Sequence, residues 1–91
     1  MTTVFRGWIR GLRDHAARAR IQVRIDRLAH GNPGVSRALR GGVSELKVDV
    51  GLGYRVYYTI HNSQLIILLA GGNKSTQSAD IEQAIELAKN L

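Results

Sequence analysis

The chain has 91 residues, no cysteine and a formal net charge of +6, which leaves room for one hydrophobic core and excludes a second domain, a disulfide framework and a thiolate metal site. Nine of its ten arginines lie between Arg6 and Arg40 against Asp14 and Asp26 alone, so the first 40 residues carry +7 and the remainder −1. Such asymmetry points to a polyanion or an acidic protein met by the amino-terminal half; the plain alternative is a solvated helix face rich in arginine.

Phe5, Trp8, Ile9 and Leu12 recur at i, i+3, i+4 and i+7, which predicts a first helix with Thr2 or Thr3 as its N-cap. After Asp14-His15 the phase changes, and Ala17, Ile21, Ile25 and Leu28 form the stripe of a second helix stopped by Gly31-Asn32-Pro33-Gly34. The two make a hairpin. The stretch from about Gly31 to Gly42 reads as irregular. From Val43 the period becomes two: Leu46, Val48 and Val50 alternate with Glu45, Lys47 and Asp49, as in a strand with one buried face. Gly51-Leu52-Gly53 turns the chain. Val56, Tyr58 and Ile60 then oppose Arg55, Tyr57 and Thr59, so the two strands read as an antiparallel hairpin. Leu65 to Ala70 is apolar throughout and predicts a third strand, closed by Gly71-Gly72. A last helix is expected from about Ser78, with Asp80 and Glu82 in its first turn and Ile81, Ala84, Ile85, Ala88 and Leu91 on its inner face.

The order predicts one α+β domain over residues 1–91: a two-helix amino-terminal hairpin, a small antiparallel sheet of three to four strands and a carboxy-terminal helix. The helices are expected on one face of the sheet, leaving the other open. Nothing near Met1 reads as a secretory leader, and no apolar run approaches the ~20 residues that cross a bilayer, so a cytoplasmic protein without membrane contact is expected.

On the two-residue period, Lys47, Arg55 and Tyr57 leave the strands on the face predicted to be open, and Lys74 stands just before the last helix, whose amino terminus favours an anion. Together they would suit a phosphate. The bland readings are a wet strand face for Glu45, Lys47 and Asp49, and a cross-strand ion pair between Arg55 and Asp49. Gly71-Gly72-Asn73-Lys74-Ser75 lacks Walker A spacing, and Trp8 on the apolar stripe reads as core. His15, His30 and His61 are dispersed, so no metal is expected, and no cofactor.

Several stretches carry a likeness to a known family: Phe5-Arg6-Gly7-Trp8-Ile9 with Leu12-Arg13-Asp14, Ala17 to Leu28 with Gly31-Asn32, Gly42 to Lys47, Gly53-Tyr54-Arg55-Val56-Tyr57-Tyr58, and, most specific, Leu68 to Gln77. In this order they resemble, over nearly the whole chain, toxins of the RelE/ParE superfamily in the HigB-like, addiction-module killer branch of type II toxin–antitoxin systems. Many members begin with a strand of roughly ten residues, whereas here Met1 to Val4 alone precede the Phe-x-x-Trp helix.

The resemblance implies a growth-inhibiting toxin neutralised by a cognate antitoxin, commonly a helix-turn-helix protein from the adjacent gene, and an mRNA endoribonuclease (mRNA interferase) working on the ribosome. It places Arg55 where RelE-like enzymes hold the phosphate, Lys47 in the preceding basic strand and Lys74 near a further basic position. Attack by the ribose 2′-hydroxyl also needs a base and an acid; Glu45 or Asp49 are the candidate bases, Tyr57 or Tyr54 the candidate acids. The expected catalytic set is thus Arg55, Lys47, Lys74 and Tyr57, with Arg37, Arg40, Lys47, Arg55 and Lys74 binding nucleic acid. The carboxy-terminal Tyr or His of the ribosome-dependent nucleases is replaced here by a helix. That departure leaves two rival expectations: a non-catalytic ParE-like toxin acting on gyrase, and a module confined to antitoxin binding and operon regulation.

Overall fold

The computed structural model describes all 91 residues. Helix α1 (Thr3–Gly11) starts on Thr2, whose hydroxyl accepts from the Phe5 amide at 3.0 Å. Asp14 caps α2 (His15–Ala29) in the same way, accepting from the Ala17 amide at 3.0 Å. Three strands follow as read, β2 (Val43–Val48), β3 (Tyr54–His61) and β4 (Leu65–Asn73), and a short strand, β1 (Ser36–Ala38), lies in the segment read as irregular. A single 3-10 turn, Lys74–Thr76, leads into α3 (Gln77–Lys89). The sheet is an antiparallel meander in the order β1-β2-β3-β4.

The sheet has helices on both faces, which corrects the expectation of one open face. Phe5, Ala17, Ile21 and Leu28 from α1 and α2 pack on Leu46, Val48, Val56, Tyr58 and Leu68. On the other face Ala84 and Ile85 of α3 close over Val43, Tyr57, Leu69 and Ala70. An eight-residue strand with apolar groups on both sides needs two covers, and the chain's last apolar stripe supplies the second.

Strand β4 runs through Gly71-Gly72 instead of ending there. A bulge opposite Tyr57 and Tyr58 leaves Leu69 without a register partner and resets the alternation. Gly71 then faces Trp8, and Gly72 faces Asp80 and Thr76, so closely that a Cβ on either glycine would overlap those side chains. Trp8 is accordingly core, tilted against Phe5 and Tyr54 at centroid distances of 5.7 and 6.3 Å. No helix is long and apolar enough to cross a membrane.

Candidate active site

Lys47 and Arg55 are direct partners across β2 and β3, as are Glu45 and Tyr57 one pair further along. All four leave the sheet on the α3 face. Because α3 covers only part of that face, a cleft of about 350 Å³ remains, lined by Val35, Ser36, Arg37, Glu45, Lys47, Arg55 and Gln77. Three cations stand around one carboxylate.

Glu45 organises the cleft. It is 4% exposed and accepts from Arg37 Nε at 2.9 Å and from Gln77 Nε2 at 2.8 Å, with Arg55 Nε at 3.9 Å from its second oxygen. Burial pushes its carboxyl up, but the hydrogen bonds from Arg37 and Gln77 and the charges of Arg37 and Arg55 outweigh burial and hold it below the usual carboxylate range. The same contact raises Arg37, which stays protonated. Glu45 thus takes the Nε sides of two guanidiniums, and Arg37, which lines the cleft, makes no hydrogen bond through its terminal amino groups. An anion can use that fork in pairs. Arg55, 7% exposed, has one such group tied to the Gly53 carbonyl at 2.7 Å. The Arg55–Asp49 ion pair is not formed; Glu45 takes its place.

Tyr57 is fully buried beneath the cleft, and neither its hydroxyl nor Arg55 Nε has a hydrogen-bond partner. Burial first, then the charges of Glu45 and Asp80, push the phenol well above its ordinary value. It is held as a neutral donor.

Of the residues singled out from the sequence, Arg37, Lys47 and Arg55 meet in the cleft, with Tyr57 under its floor. Arg40 lies elsewhere, paired with Glu82 on the outside of α3. Glu82 also lies beyond the helix's first turn, because α3 begins at Gln77, and Asp80 is the one acid in that turn. Lys74 is exposed beside the Gly53 turn and does not line the cleft. The anion position there is already filled: Asn73 accepts from the Ser75 amide at 2.9 Å and Asp80 accepts from the Thr76 hydroxyl at 2.5 Å. Gln77 carries no signal in the sequence, since its role depends on α3 crossing the sheet. No three His, Cys, Asp or Glu side chains converge as a metal site would require.

A small α+β domain with an arginine–carboxylate centre in a basic cleft is the class of protein that this fold and site define. The chain belongs to the family described as Phage derived protein Gp49-like (DUF891), whose model matches residues 7–91. It is 47% identical over 90 residues to a protein of Haemophilus influenzae described as uncharacterized, a match covering 99% of this chain and 91% of the other. No solved structure matches it.

Proposed function

We propose that this protein is the toxin of a type II toxin–antitoxin pair and that it arrests growth by cutting RNA in the cleft between β1, β2 and α3. The observation that carries the reading is the preorganised cation set: Arg37 and Arg55 held by buried Glu45, with exposed Lys47 at the mouth. Fixed donors aimed at a phosphate stabilise charge that develops during transfer without reorganising as it forms. In the reaction the ribose 2′-oxygen bonds to phosphorus as the P–O5′ bond breaks. A 2′,3′-cyclic phosphate and a free 5′-hydroxyl result, one proton leaving the 2′-hydroxyl and one reaching O5′. Arg37, Lys47 and Arg55 hold the phosphate, water takes the 2′-hydroxyl proton and returns one to O5′, and Tyr57, buried under the floor, does not reach the substrate. Lys74 and Arg40 act outside the cleft, on flanking backbone.

One observation favours the non-catalytic rival, a ParE-like poison of gyrase. Glu45 is held ionised and Tyr57 is held protonated, so neither is tuned as a ready base or acid near neutral pH. Mapping RNA 5′ ends after induction, beside a gyrase-cleavage assay, separates the two. New 5′-hydroxyl ends within minutes and no trapped gyrase–DNA complex are expected; the reverse pattern overturns the nuclease reading.

A further inference from the structure

We infer that the α2 face carries an RNA-backbone track, centred on Arg20 and Arg27, that continues the strand held in the cleft. Arg6, Arg10, Arg13, Arg18, Arg20, Arg24 and Arg27 all belong to α1, α2 or the link between them, and none has a carboxylate within 4 Å; the ion pairs of the chain involve only Arg37, Arg40, Arg55 and Lys89. Seven cations that no carboxylate of the chain neutralises are a surface awaiting an anion.

Part of this surface is a groove of about 490 Å³ between α2 and the end of β2, bordered by Arg20, Arg24 and Arg27, with Asp49 as its one carboxylate. The middle arginine is already engaged. Arg24 donates to the carbonyls of Lys47, Pro33 and Val35 at 2.8, 3.2 and 3.4 Å, tying the segment before β1 to β2. Arg20 and Arg27 remain free and exposed. They stand seven residues apart, about 10 Å along the helix, which is the rise of roughly three stacked nucleotides.

Val35 lines both this groove and the cleft. A strand leaving the cleft therefore rounds the sheet edge at Val35 to reach the arginines on the α2 side. The surface suits a phosphate backbone better than an acidic protein segment. Protein segments anchor through apolar side chains, and this groove exposes only two large apolar residues, Val23 and Val35, among three arginines. Arginine forks grip phosphates in pairs and fix position without reading sequence. The identity of the anion rests on the proposed reading of the cleft; the unpaired arginines do not.

The test uses the full chain and a 20-nucleotide RNA methylated at every 2′-oxygen, which binds but cannot be cut by 2′-attack. Binding is measured by fluorescence anisotropy across a salt series, for the wild type and for Arg20→Gln/Arg27→Gln, whose positions are exposed and should leave the thermal midpoint unchanged. Loss of two phosphate contacts should weaken binding on the order of tenfold and make the log–log salt slope shallower by about 1.4. Unchanged affinity and slope, or no binding by the wild type, would overturn the track. So would tighter binding of a duplex DNA of equal length, or a variant that keeps RNA but loses the antitoxin, which would make the face a DNA or a protein surface. Weakened RNA binding by the variant, in cells that show no new RNA ends, would uphold the track while removing the nuclease reading.

Discussion

At the scale of single residues, Glu45 is the hinge of the site, and its charge has a stability signature. Folding lowers its pKa, so its contribution is complete above the unfolded carboxyl value of about 4.3 and is lost as the pH falls through the lower folded value. Glu45→Gln should therefore be less stable than the wild type at pH 7, by about 1.5–3 kcal/mol for charged hydrogen bonds in a buried setting. The gap should narrow below about pH 4 as the wild type loses the same charge. Thermal midpoints between pH 7 and pH 3 read this directly; a gap that stays constant would mean Glu45 does not carry the charge. The variant should also lose growth inhibition while still folded, since Arg37 and Arg55 lose the group that sets their direction.

Strand alternation predicts the direction of Arg55 correctly but not its environment. Arg55 does point opposite to Val56 and Tyr58, beside Lys47. It is buried because α3 and the turn at Gly53 close over it. Alternation says which face a side chain takes; it carries no information about what lies on that face.

Among the elements, β4 ties the two layers together. Its Gly71 receives Trp8 from one side and Gly72 receives Asp80 and Thr76 from the other. Gly71→Ala pushes a methyl into the indole and should cost about 1–3 kcal/mol, as overpacking of cores does, lowering the midpoint by roughly 4–8 °C per kcal/mol in a domain of this size. Combining it with Trp8→Leu should cost less than the two single changes together, because the shorter side chain clears the clash. Strictly additive midpoints from calorimetry would show that Trp8 is not the obstacle. The glycine pair looked like a turn in the sequence because close packing on a backbone and a turn both ask for a missing Cβ.

For the molecule as a whole, seven arginines that no carboxylate of the chain pairs give a surface suited to an anionic partner, and the toxin reading makes a further prediction. Expressed alone it should arrest growth, and co-expression of the adjacent gene's product should restore it. Growth curves under verified soluble expression check this, and unimpaired growth would count against the toxin reading. The purified complex should also melt above the free toxin by an amount that rises with antitoxin concentration, as mass action requires.

The α+β class, both amino-terminal helices with the cap of the first, the three longer strands and the last helix were legible from periodicity and capping, since these depend on neighbours a few residues apart. So was the convergence of Lys47 and Arg55, which follows from hairpin register. The Asp14 cap of α2 came from the structure. Other features depended on contacts distant in sequence. The three residues of β1 have no strand signature and pair only because β2 offers an edge. The second cover by α3, the burial of Glu45 and Tyr57, the recruitment of Gln77 and the exclusion of Lys74 and Arg40 from the cleft all follow from where one helix crosses the sheet. That crossing is decided by apolar burial over the whole molecule, a force without direction or sequence range, so only the tertiary structure could decide it.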